Sequence, residues 1–269
     1  SDPTGTSYMS DGIPVKMTWR NVSIEMLQPG GTVRSRSKTF YFSRHGAVMV
    51  KPEAGLTWSS TAVHVLADPN RNNTRLIEQW IGIGSARSVA ELKGSLDRTI
   101  GLPWVNTVAA DRDGNTLYAD ASVVPNVTPE KFLSDCLVLP PLLMLNGSRG
   151  VCDWGSAHTA TAGIISPANG PWMIRADYVG NSNDSYWLTN ARSLLSGPAP
   201  YGFSPLYGPT AIEQKLRTRI GFKQFEETLA RKARVSIDDV QQLAFANRVH
   251  AAELVLPRLL SACLASSDG

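Results

Sequence analysis

Short runs of aromatic and β-branched residues, separated by turn-forming residues, recur through the first two-thirds of the chain. Residues 38–43 follow a Gly-Gly pair, while residues 106–110 and 116–119 flank an Asp-Gly pair. An Asp-Gly pair between two such runs predicts a β-hairpin. With a further run at 172–179, these segments predict an antiparallel sheet rather than repeated βαβ units.

Helical signals lie between these runs and dominate the C-terminal part. Ser88 and Glu91 have the spacing of a capping box, in which a serine hydroxyl and a glutamate carboxylate accept hydrogen bonds from the first free N–H groups of a helix. Residues 210–231 and 236–264 are predicted to be helical almost throughout. Pro257 is expected to kink or divide the last helix, because proline has no N–H to donate.

The elements predict an α+β fold: residues 1–190 are mainly strands and loops with short helices, and residues 191–269 are mainly helical.

The 269 residues are 42% hydrophobic and 18% charged, which excludes a disordered chain. The 26 basic and 23 acidic residues leave a net charge of +3 spread along the sequence, which does not indicate nucleic-acid binding. No apolar run reaches the roughly 18 residues of a membrane span.

The chain has three cysteines, whose pairing affects the stability of the fold and depends on whether the protein's compartment is oxidising. Cys136 and Cys152 bracket a loop rich in proline and glycine, and Cys263 stands alone near the end. If the first two pair, the crosslink stabilises the fold by about 3 kcal/mol in chain-entropy models. The alternative is three reduced, buried thiols. A structural zinc site is not expected, because no Cys-x-x-Cys or Cys/His spacing occurs.

Two further motifs do not predict a nucleotide-binding, metal or catalytic site. Residues 82–87 begin like a dinucleotide-binding fingerprint, but Arg87 stands where the third glycine belongs. His250 and Glu253 are three apart on a predicted helix, with nothing nearby to complete a metal or catalytic set. Surface or capping roles fit that pair better.

Ser1 raises the question of self-activated nucleophilic catalysis. An N-terminal serine can use its own α-amino group as the base, because that amine titrates near neutral pH. The turn-forming residues that follow Ser1 differ from the buried strand that would hold such a nucleophile rigidly. We therefore expect Ser1 to be a cut point rather than the nucleophile.

The most informative stretch is residues 177–190, which are rich in asparagine. An asparagine amide at the end of a strand is a good neutral donor to a developing oxyanion. Taken alone, these residues favour an asparagine-rich turn over an oxyanion donor.

The segment at 177–190 resembles the oxyanion-asparagine segment of the penicillin acylase family of N-terminal nucleophile hydrolases. It is most similar to the branch that cleaves fatty acyl chains from acyl-homoserine lactones and cyclic lipopeptides. Other blocks resemble the family in the same order along the chain: 2–12, 41–48, 102–111, 114–115, 118–120 and 216–220.

This resemblance implies a four-layer αββα sandwich and amide hydrolysis through an acyl-enzyme, with a free α-amine as base. It implies Asn183 as the side-chain oxyanion donor and Arg217 as its charged neighbour, with Arg219 as the alternative. No cofactor is required. Calcium is compatible as a structural ion because some relatives bind one, although no acidic cluster with suitable spacing stands out.

The sequence also departs from the family. Ser1 is not followed by the family's nucleophile block, so residues 1–269 resemble an interior segment of the large subunit. The expected partners are the remaining acylase segments, namely the nucleophile-bearing part and the small subunit, and the isolated chain is expected to be inactive. The alternative is a non-catalytic fragment that binds an acyl ligand or a partner chain. Relatives of this kind are exported, which implies a periplasmic or extracellular location.

Overall fold

The computed structural model describes residues 5–155 and 163–266. The described strands are β1 (Ser7–Ser10), β2 (Ile13–Lys16), β3 (Thr18–Leu27), β4 (Val33–Phe42), β5 (Ala47–Val48), β6 (Val65–Leu66), β7 (Thr107–Ala110), β8 (Thr116–Ala119), β9 (Leu137–Leu139), β10 (Met144–Leu145) and β11 (Trp172–Arg175). The described helices are α1 (Leu76–Ser85), α2 (Val89–Thr99), α3 (Pro129–Phe132), α4 (Leu216–Arg231), α5 (Ile237–Phe245) and α6 (His250–Ala265).

The described residues divide into two compact units: residues 5–73 with 130–155, and residues 74–129 with 163–266. All the pairings between these strands are antiparallel. The predicted α+β class is confirmed. In the two described parts of the chain, no helix is long and apolar enough to cross a membrane.

The first unit is built around the long ribbon β3–β4. Its ten-residue strands pair from Thr18 with Phe42 to Leu27 with Val33. A turn that contains Gly30 connects the two strands. Gly30 has a φ of 95°, a left-handed conformation that glycine adopts without a steric penalty. Strands β5 and β6 extend this sheet in the order β3-β4-β5-β6.

The second unit contains the three-stranded sheet β11-β8-β7. The predicted hairpin is confirmed as β7–β8, and its Asp111 carboxylate accepts hydrogen bonds from the N–H groups of Asp113, Asn115 and Val89. The contact with Val89 ties the hairpin to the start of α2. Buried side chains of α2 then pack with those of β8 and its flanks in one core: Val89, Leu92, Leu96, Leu102, Leu117, Ala119 and Ala121.

Helix α2 begins where the capping box predicts. The Ser88 hydroxyl accepts the N–H of Glu91 at 3.1 Å, while the Glu91 carboxylate accepts the N–H of Arg87 rather than that of Ser88. Residues 82–85 lie within α1, so the Gly-rich motif forms a helix and not a phosphate-binding turn.

Two predicted boundaries are wrong. Helix α4 begins at Leu216 and not at residue 210, because Ala211 has a φ of 56° and Lys215 is extended. The last segment is two helices, but they separate at residues 246–249, where Asn247 adopts a left-handed φ of 50° that suits a helix end. Pro257 lies inside α6 and does not divide it.

Cys136 and Cys152 form a disulfide, one of the two alternatives that the sequence left open, and Cys263 is free and exposed. Both bonded cysteines are buried, and they are separated by 16 residues in sequence. The bond closes a loop of short 3₁₀ turns and the small pair β9–β10, which contains little regular structure of its own.

Replacing both Cys136 and Cys152 with serine should lower the free energy of unfolding by about 3 kcal/mol, since the unfolded chain regains the freedom of that loop. Denaturant titration without reductant measures the change. Cys263→Ser is the matched control and should unfold like the wild type. An unchanged midpoint in the double variant would contradict a stabilising role.

Candidate active site

The asparagine loop, residues 181–188, is closed at its base by hydrogen bonds between its two ends. The N–H of Gly180 donates to the carbonyl of Thr189 at 2.9 Å, and Nδ2 of Asn190 donates to the carbonyl of Tyr178 at 2.7 Å. Thr189 and Asn190 are fully buried. The loop therefore leaves and rejoins the body of the unit at one fixed place.

Within this loop, Asn183 has a left-handed backbone with a φ of 60°. Its N–H donates to Oδ1 of Asn181 at 2.8 Å, and Nδ2 of Asn181 donates to the carbonyl of Asp184 at 2.9 Å. Asparagine is one of the few residues that tolerates this region. The expected strand end is absent here, because β11 ends at Arg175 and the asparagines lie in a closed loop.

Arg217, in the first turn of α4, is the arginine that contacts Asn183. Its Nη2 donates to Oδ1 of Asn183 at 3.1 Å and also to the carbonyl of Ser182. Arg219, the alternative from the sequence, instead donates to Glu213 at 3.4 Å. Of the two arginines, Arg217 is the one that contacts Asn183.

The contact with Arg217 fixes which way the Asn183 amide faces. A guanidinium has only donors, so the amide turns its oxygen towards Arg217 and its NH₂ group away. Among the described residues, Nδ2 of Asn183 has no hydrogen-bond acceptor, and the side chain is exposed. This arrangement offers a neutral, oriented donor to a bound oxygen atom.

One face of α4 holds the loop and its base in place. Thr218 is buried and donates to the Asp184 carboxylate. Further along the same face, the rings of Phe222 and Phe225 lie 6.3 and 5.4 Å from the ring of Tyr178. These contacts recur at the spacing of successive helical turns, so a rigid element supports the loop.

Close packing at the loop base also requires a residue without a side chain. A Cβ atom at Gly180 would lie 2.6 Å from Cε2 of Phe225, well inside van der Waals contact. Glycine at this position lets the backbone approach the aromatic ring.

Two carboxylates reinforce the base of the loop. Glu226 accepts hydrogen bonds from Tyr178 Oη at 2.6 Å and from Arg192 at 2.5 and 3.0 Å. Asp177 accepts two from Arg175, both at 2.9 Å. Such bidentate, charge-assisted bonds are among the strongest in proteins.

These contacts shift the pKa values of Glu226, Asp177 and Tyr178. Hydrogen bonds from the Arg192 guanidinium, and then from Tyr178, lower the pKa of Glu226. Hydrogen bonds from the Arg175 guanidinium hold the pKa of Asp177 well below its usual range. Burial and the bond to Glu226 raise the pKa of Tyr178 to about 12. At neutral pH, therefore, both carboxylates are ionised and Tyr178 is a donor.

Several other sequence candidates do not join this site. Ser1 lies outside the described residues. Nδ1 of His250 lies 3.8 Å from Glu253, whose carboxylate is already engaged by Arg248 and Lys223 in contacts that link helices. Across residues 5–155 and 163–266, no three His, Cys, Asp or Glu side chains gather in a way that could hold a metal ion, so no calcium ligands can be assigned there.

Sequence reasoning missed the residues that fix the loop, chiefly Asn181, Asn190 and Thr218. One signal was available: Asn181 stands two residues before Asn183, the spacing at which an asparagine side chain accepts a backbone N–H. The contacts of Asn190 and Thr218 join residues distant in sequence, and no local pattern reveals them.

Acidification should weaken the base of the loop through Glu226. Because the folded-state pKa of Glu226 is lowered, its stabilising contribution is present above the usual carboxyl pKa of about 4 and is lost as the pH falls through the lowered value. Glu226→Gln should therefore have a lower melting temperature than the wild type at neutral pH, and the difference should shrink below about pH 4.

Thermal unfolding between neutral and acidic pH tests this, with Glu53→Gln as the control. Glu53 lies on a short exposed turn and makes no ion pair among the described residues. A Glu226→Gln deficit that stays constant across the pH range would show that the ionised carboxylate is not the source of the stabilisation.

Comparison with known proteins supplies the family. Residues 1–268 match the penicillin amidase family. An acyl-homoserine lactone acylase PvdQ of Pseudomonas savastanoi pv. phaseolicola is 36% identical over 261 residues, covering 96% of this chain and 33% of that protein. The aculeacin-A acylase of Actinoplanes utahensis is 37% identical over 276 residues, covering 97% of this chain and 33% of that protein. The chain thus spans about a third of the length of these relatives.

The fold agrees with this match. A thermostable penicillin G acylase from Alcaligenes faecalis superimposes with a TM-score of 0.53 at 15% identity, covering 88% of this chain and 36% of that one. Identity this low supports a shared fold and nothing further. The family match over nearly the whole chain is decisive, and the chain belongs to the penicillin amidase family.

Proposed function

We propose that this chain is part of an amidohydrolase that removes an acyl chain from an N-acyl amide, and that Asn183 is its side-chain oxyanion donor. The single observation that carries the proposal is the Asn183 amide, turned by Arg217 so that an exposed Nδ2 is left to donate. The relatives named above suggest a substrate of the acyl-homoserine lactone, lipopeptide or penicillin type.

In the proposed reaction, a nucleophile whose base is a free α-amine attacks the amide carbonyl carbon. The carbonyl oxygen takes up negative charge, and Nδ2 of Asn183 donates a hydrogen bond to it. Collapse of this intermediate breaks the C–N bond, the amine leaves with a proton, and water then hydrolyses the acyl-enzyme. These steps need no cofactor.

A neutral donor suits this chemistry. The oxyanion exists only in the intermediate and the flanking transition states, so a preoriented amide favours them without binding the substrate more tightly. Arg217 lies on the oxygen side of the same amide and acts by orienting it.

The nucleophile and its base are proposed to come from the remaining acylase segments, which would also complete a four-layer αββα sandwich around these sheets and helices. The chain's share of its relatives' length, about a third, supports this arrangement. We also propose a periplasmic or extracellular location, supported by the disulfide between Cys136 and Cys152, because such bonds persist in oxidising compartments.

Asn183→Ala in the full-length acylase should lower kcat by about 10²- to 10³-fold, the usual effect of losing one oxyanion donor. KM should change little, since the interaction forms only in the transition state. Steady-state kinetics with an acyl-homoserine lactone measures both. Turnover like that of the wild type would remove Asn183 from the mechanism.

Arg217 and Arg219 form a matched pair for the same assay. Arg217→Ala should also lower kcat, because the amide of Asn183 is then free to rotate. Arg219→Ala removes only a contact with Glu213 and should stay within about twofold of the wild type. Equal losses from both substitutions would argue against an orienting role for Arg217.

The 269-residue chain by itself should hydrolyse no acyl amide, because Asn183 supplies one donor and catalysis also needs a nucleophile and a base held within about 0.5 Å. The test is an assay with acyl-homoserine lactones, lipopeptides and penicillin V beside a Ser1→Ala control. Turnover that disappears in the control would identify Ser1 as the nucleophile. If the full-length protein binds acyl ligands without turnover, the non-catalytic alternative is favoured.

A further inference from the structure

We propose that Asn181 is a positioning residue that fixes the backbone of Asn183, and through it the direction of the oxyanion donor. This inference rests on the proposed function of Asn183. It is carried by contacts in the loop and assigns Asn181 a role in catalysis without any contact with the substrate.

The Asn181 amide bridges the two sides of residue 183. Its oxygen accepts the N–H of Asn183 at 2.8 Å, and its nitrogen donates to the carbonyl of Asp184 at 2.9 Å. One side chain therefore holds both the peptide group before the Asn183 Cα and the carbonyl of the following residue. These two bonds restrain the rotation of the backbone at Asn183.

The conformation held in this way is left-handed, with a φ of 60°. L-residues visit this region infrequently, and such conformations persist where surrounding contacts enforce them. Without Asn181, the backbone at Asn183 is free to return to more populated angles. The side-chain amide would then leave Arg217 and the position at which its Nδ2 donates.

The remaining anchors of the loop do not involve the Asn181 side chain. Asp184 is held by the Thr218 hydroxyl, and Nζ of Lys215 lies 3.6 Å from its carboxylate. Arg217 also binds the carbonyl of Ser182. Removing the Asn181 amide should thus leave the loop attached to α4 and change the local geometry of Asn183.

The experiment compares Asn181→Ala, Asn181→Ser, Asn183→Ala and the Asn181→Ala/Asn183→Ala double variant in the full-length acylase. Asn181→Ala should lower kcat by about ten- to a hundredfold, the effect of misplacing a catalytic group by about 1 Å, with little change in KM. Asn181→Ser should recover part of that loss, because a serine hydroxyl accepts the N–H two residues ahead more weakly.

The double variant distinguishes positioning from general stabilisation. If Asn181 acts through Asn183, the double variant should be no slower than Asn183→Ala alone, because nothing is left to position. A structural defect would instead lower kcat by a similar factor in both backgrounds. The matched control is Asn146→Ala, which removes the same kind of contact, Oδ1 accepting the N–H of Ser148 at 3.1 Å, from the other unit.

The outcomes separate this inference from the proposed function. An inactive Asn183→Ala with a fully active Asn181→Ala would overturn the positioning role and leave the oxyanion role of Asn183 intact. A further loss in the double variant would also overturn it. A fully active Asn183→Ala would overturn the proposed function itself.

Discussion

The candidate site depends on a simple asymmetry: a guanidinium group can donate hydrogen bonds but cannot accept them. Because Arg217 contacts the Asn183 side chain, the amide must present its oxygen to the arginine and its NH₂ group to the other side. Several other contacts restrain the loop around this pair. The buried base, the left-handed backbone and the packing against α4 all hold Asn183 opposite Arg217.

Helix α4 is the element through which these restraints act together. It carries Arg217 and Thr218, which contact the loop itself, and Phe222, Phe225 and Glu226, which contact its base. A single helix thus carries the guanidinium that contacts the Asn183 amide as well as the two rings and the carboxylate that contact the loop base. A site supported by a helix in this way is positioned more accurately than a site on an unsupported loop.

The sequence predicted those features that depend on neighbouring residues. The Asp-Gly hairpin and the cap at Ser88 rely on contacts within a few positions, and both were found. The start of α4 at Leu216 and the break near Asn247 were not predicted, since helical periodicity says nothing about where tertiary contacts end a helix. Arg248 beside that break binds Glu227 of α4 and Glu253 of α6, a constraint only the folded chain reveals.

The same limit applies to the three asparagines at 181, 183 and 190, which composition cannot tell apart. In the folded loop, the side-chain oxygen and nitrogen of Asn181 both form hydrogen bonds. The same is true of Asn190, whose nitrogen donates to the carbonyl of Tyr178 and whose oxygen accepts the N–H of Arg192. Asn183 uses only its oxygen among the described residues. An amide with both halves engaged can hold a backbone but has little left for a ligand, whereas one with a free, oriented donor can act on a substrate. The hydrogen bonds of the three side chains therefore distinguish Asn181 and Asn190, which hold the loop together, from Asn183, whose NH₂ group is left to contact a ligand.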